Sequence, residues 1–163
     1  MKPVDYRIMR KTIITLVQAN RHKLVSVDVA GDESIFAFEG KHYVCEIQID
    51  GNWFGYDLQV EDAAGCDFVD YVDARRMNDK RRTKEELRVY EEMLNTVRKL
   101  LNGDIYYLAN PNCSYVATKN NDGTFDVSYW ELKMFLFYPY SSGWSNRTFS
   151  KDEFDKLHLK VLD

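Results

Sequence analysis

Apolar residues at Tyr6, Met9, Ile13, Leu16 and Val17 recur at three- and four-residue steps. That spacing is one face of an amphipathic helix, predicted from Pro3 to about Gln18. Pro3 suits the first turn, where its missing N–H has no helical partner, and Asn20 is the predicted stop. The period then shortens to two. Val25, Val27 and Val29 alternate with polar residues, and Ile35 to Phe38 follows the turn at Ala30-Gly31-Asp32 as a second short strand. Tyr43, Cys45, Ile47 and Ile49 share one face against Val44, Glu46 and Gln48, and Phe54, Tyr56, Leu58 and Val60 oppose Asp57 and Gln59. The turns at Glu39-Gly40 and Asp50-Gly51 are too short for a helical crossover, so these neighbours are expected to be antiparallel. Val27, Ile47, Tyr56 and Leu58 are the predicted buried positions. Cys66 to Val72 is a candidate fifth strand.

Thr83-Lys84-Glu85-Glu86 has the form of a capping box. Behind it, Leu87, Tyr90, Leu94, Val97 and Leu101 predict a helix from Lys84 to Asn102, closed by Gly103 in the left-handed conformation. Strands resume at Ile105 to Leu108 and at Ser114 to Thr118, and Asn121-Asp122-Gly123 turns into a long strand from Phe125. Along that strand the apolar parity passes from Phe125, Val127 and Tyr129 to Trp130, Leu132, Met134 and Leu136, which predicts a β-bulge near Tyr129-Trp130. Ser150 to Glu153 is a second capping box, opening a short terminal helix with Phe154 and Leu157 inward. The expected fold is a single α+β domain over residues 1–163 with a largely antiparallel sheet. Its order is helix, four to five strands, helix, three strands, short C-terminal helix.

Composition narrows the class. A chain of 163 residues with 45% hydrophobic residues buries enough surface to fold without staples and is not a disordered sequence. No apolar run approaches the roughly 18 residues of a membrane span. Three cysteines at wide spacing form no disulfide framework and point to a reducing, cytoplasmic compartment. The formal charge of -4 argues against a dedicated nucleic-acid binder.

The sequence carries no phosphate-binding Gly-rich loop, no Cys-x-x-Cys, no His-Glu-x-x-His and no Gly-x-Ser-x-Gly. No cofactor or metal is therefore expected, and an enzyme would need a convergent site. One candidate is His42 with Glu46, as base and orienter or as metal ligands on the wet face of a strand. A second candidate surface is the basic segment 75–84, where Arg75, Arg76, Arg81 and Arg82 could contact phosphates. It follows an acidic segment, Asp57 to Asp73, whose field offsets its own.

The segment from Tyr138 to Phe149 is the most unusual. It holds Tyr138, Tyr140, Trp144, Arg147 and three serines, with no Lys, Asp or Glu. Flat aromatic side chains among small adaptable polar ones make the composition of a binding surface. Read as a loop stiffened by Pro139 and turned at Gly143, it nominates Tyr138, Tyr140, Trp144 and Arg147 as protein-binding residues.

Phe, Tyr, Met, Ile, Asn and Lys together number 54 against 29 for Gly, Ala, Arg and Pro, a bias usual in AT-rich coding sequences such as those of many phages. The leading expectation is thus a non-enzymatic accessory protein of phage type. It would bind a larger protein in the host cytoplasm and inhibit or modulate it. A nucleic-acid-binding accessory protein and a small enzyme near His42 and Glu46 are the alternatives.

Overall fold

The computed structural model describes residues 5–20, 24–27, 34–50, 53–60, 68–73, 77–110, 112–136, 138–141 and 143–163. Helix α1 spans Tyr6–Ala19 and starts where the Asp5 carboxylate accepts from the backbone N–H groups of Arg7 and Ile8. An N-cap of this kind satisfies donors that the first turn leaves open. Met9, Ile13 and Val17 are buried, and Asn20 ends the helix as predicted. Pro3 lies outside the described residues.

Strands β1 (Leu24–Val27), β2 (Ile35–Glu39), β3 (Tyr43–Ile49), β4 (Trp53–Val60) and β5 (Phe68–Asp73) form an antiparallel meander in chain order. Ile47 stands opposite Tyr56 and Cys45 opposite Leu58. All four are buried, with Phe36, Phe38, Ile49, Phe54 and Val72 on the same inner face. The period-two pattern is thus realised with its register intact, and β5 is the fifth strand. Nothing is described of the Val27 side chain, and Val29, the 30–32 turn and Gly51 lie outside the described residues. At the β2–β3 turn the Gly40 N–H donates to the Tyr43 carbonyl at 3.1 Å. A Cβ at Gly40 would lie 2.2 Å from the Tyr43 ring, so glycine here serves close approach.

Helix α2 spans Asp79–Asn102, more than a turn longer at its start than the sequence predicts. The apparent capping box at Thr83 is not used as one. Asn78 caps the helix through its side chain to the Arg81 N–H, Thr83 bonds back to the Asp79 carbonyl, and Glu86 lies buried inside the packing. Gly103 closes the helix at φ 72°, as expected.

The second sheet holds β6 (Ile105–Asn110), β7 (Cys113–Lys119), β8 (Phe125–Phe135), β9 (Tyr138–Ser141), β10 (Ser145–Phe149) and β11 (Lys160–Val161), with α3 (Lys151–Asp155) between the last two. Its order is β10-β8-β7-β6-β11, and β9 also pairs with β8. Three strands were expected after α2, so β9, β10 and β11 are additions. The expected bulge on β8 is also corrected, because β8 pairs with β7 in unbroken register from Phe125 to Glu131. The irregularity sits on the returning chain instead. Between the β8–β10 and β8–β9 pairings that chain carries one residue more than β8 does, and Gly143 there has φ 68°. An extra residue beside a left-handed glycine is the signature of a bulge.

One continuous core joins α1, α2 and the inner face of the first sheet to Ile105 and Val116 of the second and to Leu162 just after β11. The chain is a single α+β domain with two antiparallel sheets. A smaller cluster lies on the other face of the second sheet, where Phe154 of α3 stacks on Phe125 with ring centroids 3.8 Å apart. The C-terminal residues stitch the sheets together. The Leu162 N–H donates to the Ile105 carbonyl, and the His42 N–H donates to the Asp163 carbonyl, each at 2.8 Å.

Candidate functional site

Strand β8 outruns β7. The last β8 residue paired with β7 is Glu131, opposite Cys113, and β9 pairs with Leu132 to Phe135. An 11-residue strand leaves main-chain groups needing partners, and the residues after it are compatible with extended backbone. The segment read from sequence as an aromatic loop therefore folds back as β9 and β10. Leu136 makes the turn at φ 46°, a conformation uncommon outside glycine, and it is 71% exposed. The apolar parity of β8 groups Leu136 with Leu132 on one strand, so no local pattern signals its exposure.

Trp144 follows Gly143 at the junction of β9 and β10 and is 46% exposed. Arg147 sits in the middle of β10. Its Nη2 donates to Glu153 Oε1 at 2.6 Å, and its guanidinium lies 4.9 Å from the centre of the Phe149 ring. The side chain nevertheless remains largely exposed. Tyr138 and Tyr140 stand opposite Phe135 and Lys133 in the backbone register, and their side chains are outside what is described. The fold thus places all four predicted residues on one returning chain along β8.

The backbone hydrogen bonds also define which way β10 faces. The Asn120 N–H donates to the Thr124 carbonyl at 2.8 Å, and the Leu132 N–H to the Asn112 carbonyl at 2.7 Å. Both belong to the β7–β8 ladder, so the even-numbered residues of β8 turn their main-chain groups toward β7. Phe125, Val127 and Tyr129 turn theirs toward β10, where they meet Phe149, Arg147 and Ser145. By the same alternation Asn146 and Thr148 direct their N–H and C=O groups out of the sheet. β10 pairs with no strand but β8 among the described residues. Side chains fasten the strand to its neighbour: the Ser128 hydroxyl donates to Asn146 Oδ1 at 2.6 Å, and the Thr148 hydroxyl to Asp126 Oδ1 at 2.8 Å.

The basic segment is dispersed. Arg75 and Arg76 lie outside the described residues, and Arg81 is exposed at the start of α2. Arg82 turns inward. Its Nε donates to Glu86 Oε1 at 2.9 Å and its Nη2 to the Tyr6 hydroxyl at 2.7 Å, while that hydroxyl donates to the same Glu86 oxygen at 2.9 Å. The contacts with Glu86 and Tyr6 raise the Arg82 pKa above its ordinary value. Burial is the main cause that raises the Tyr6 pKa. This closed triad joins α1 to α2, and no sequence pattern announced it.

His42 and Glu46 are not brought together. His42 precedes β3, lies 3.9 Å from the Asp163 carboxylate and approaches the Tyr107 ring with centroids 6.1 Å apart. Glu46 is exposed four residues further along the strand, roughly 13 Å away at the usual rise. A cleft of about 330 Å³ at the end of the first sheet is lined by Glu39, Gly40, Lys41, Tyr43, Val44, Gln59 and Val60, and neither residue lines it. Burial pushes the Tyr43 hydroxyl up to about 12 and pushes the Cys45 thiol well above its ordinary value. Such a thiol is a small hydrophobe and no ready nucleophile. Among the described residues no three His, Cys, Asp or Glu side chains gather as a metal site, and no helix is long and apolar enough to cross a membrane. Compared with known protein families, characterised proteins and solved structures, the chain matches none.

Proposed function

We propose that the protein binds a larger protein partner through the hairpin of β8, β9 and β10, acting as an accessory inhibitor or modulator of phage type. The observation that carries this reading is the presentation of Trp144. A large aromatic residue held 46% exposed beside a left-handed glycine is displayed by the backbone rather than used to fill the core. A tryptophan has few rotors to freeze on docking and much apolar area to bury. Leu136, at the other end of β9, is a second exposed apolar side chain of the hairpin. Arg147 in the same hairpin adds a guanidinium, a group enriched among interface anchors.

Trp144→Ala tests the reading. Truncating an anchor of this kind removes about 2 kcal/mol or more of binding, roughly thirtyfold in affinity. The variant should melt within a few degrees of the parent and recover at least tenfold less of the partner captured from the source cell by the parent protein. A sharp fall in melting temperature, or unchanged capture, would place the interface elsewhere.

A further inference from the structure

Resting on that reading, we infer that β10 recognises its partner by strand addition: an extended segment of the partner pairs with the outer edge of β10 and sets an Asp or Glu opposite Arg147. Two independent features lead there. The first is the main-chain direction worked out above. Asn146 and Thr148 aim two N–H and two C=O groups out of the sheet, and β10 has no strand on that side among the described residues. An open edge is a template for another strand. Proteins commonly blunt such edges with proline or lysine, and β10, reading Ser-Asn-Arg-Thr-Phe, has neither.

The second feature is charge, which chooses the occupant. Arg147 is the only charged residue of β10, and it is centred between the two outward-facing residues. With an antiparallel added strand, Arg147 and the residue opposite form a non-hydrogen-bonded pair, the closer of the two pair types. A carboxylate there meets guanidinium donors that the single bond to Glu153 leaves open. A second copy of this chain fits worse. The symmetric antiparallel register that uses both outward residues of each copy sets Arg147 directly opposite its own equivalent, and like charges so placed repel.

The probes are four capped nonapeptides of alternating Thr and Val, with Glu, Asp, Gln or Lys at the centre, titrated into the ¹⁵N-labelled protein. The Glu and Asp peptides should shift the Asn146 and Thr148 amides and slow their hydrogen exchange. The Lys peptide should bind at least tenfold more weakly. Thr148→Pro removes one outward N–H on an edge where proline is tolerated, and it should abolish the response. Thr148→Ala, which keeps that N–H, should retain it. Equal binding of the Glu and Lys peptides, protection confined to other residues, or concentration-dependent protection of these amides in the protein alone overturns the proposal, the last in favour of self-pairing. The captured partner separates this inference from the reading beneath it. If Trp144→Ala loses the partner while Thr148→Pro keeps it, the hairpin binds protein but not by strand addition.

Discussion

Replacing Arg82 with Ala tests whether the basic segment serves structure. The substitution deletes two of the three hydrogen bonds in the Tyr6–Arg82–Glu86 triad and leaves the Glu86 carboxylate, only 1% exposed, without its cation. Breaking a buried ion pair by removing one partner costs about 3–5 kcal/mol, because the remaining charge stays desolvated. The Arg82 side chain is 27% exposed, so water can reach Glu86 through the space it vacates, and the lower end applies. A loss of about 3 kcal/mol in a domain of this size lowers the melting temperature by roughly 6–12 °C. Tyr6→Phe keeps the ion pair and should cost only about 1 kcal/mol. Arg82→Met with Glu86→Leu removes both charges together and should recover most of the stability lost by Arg82→Ala. Arg81→Ala, at an exposed neighbour, should stay within about 0.5 kcal/mol. Thermal and urea unfolding of the five proteins decide the matter. Arg82→Ala melting within 2 °C of the parent, roughly 1 kcal/mol or less, would refute the structural assignment. A double variant no more stable than Arg82→Ala would do the same.

Two further outcomes follow from particular contacts. Gly40→Ala drives a methyl group into the Tyr43 ring, which packs edge-on against Phe38. It should destabilise the protein by about 1–3 kcal/mol in urea unfolding, whereas a neutral result would mean the turn relaxes freely. Arg88 donates twice to Asp70 and once each to Glu85 and Glu92. Burial pushes the Asp70 carboxyl up, but the bonds from Arg88 outweigh it and hold the pKa below its ordinary value. Its stabilising contribution is therefore present above the unfolded pKa of about 4 and is lost as pH falls through the lower native value. Melting measured from pH 7 down to pH 3 should fall at the acid end, and Arg88→Gln should start lower at pH 7 and lose less. Parallel curves for the two proteins would show that Asp70 draws nothing from Arg88.

The residues alone determined that the helices form, though not where α2 starts, and they determined the antiparallel meander of four to five strands and its buried face. Those features rest on local periodicity and on turns too short to allow another connection. Ile47 and Leu58 are buried because a period-two stretch between tight turns has one register that hides its apolar set. The aromatic segment was legible as unusual from its composition, and Trp144 is indeed exposed. Its shape was not legible, because whether Tyr138 to Phe149 forms a loop or a strand depends on β8 outrunning β7, a property of the sheet. The same holds for Glu86. A Thr-x-x-Glu pattern reads locally as a helix start, and only the approach of α1, carrying Tyr6, makes the glutamate a buried partner of Arg82. Residues 80 or 76 positions apart meet through packing, and no window along the chain can hold both. The tertiary structure alone decided which arginine is spent inside, which edge is left open and where Arg147 stands upon it.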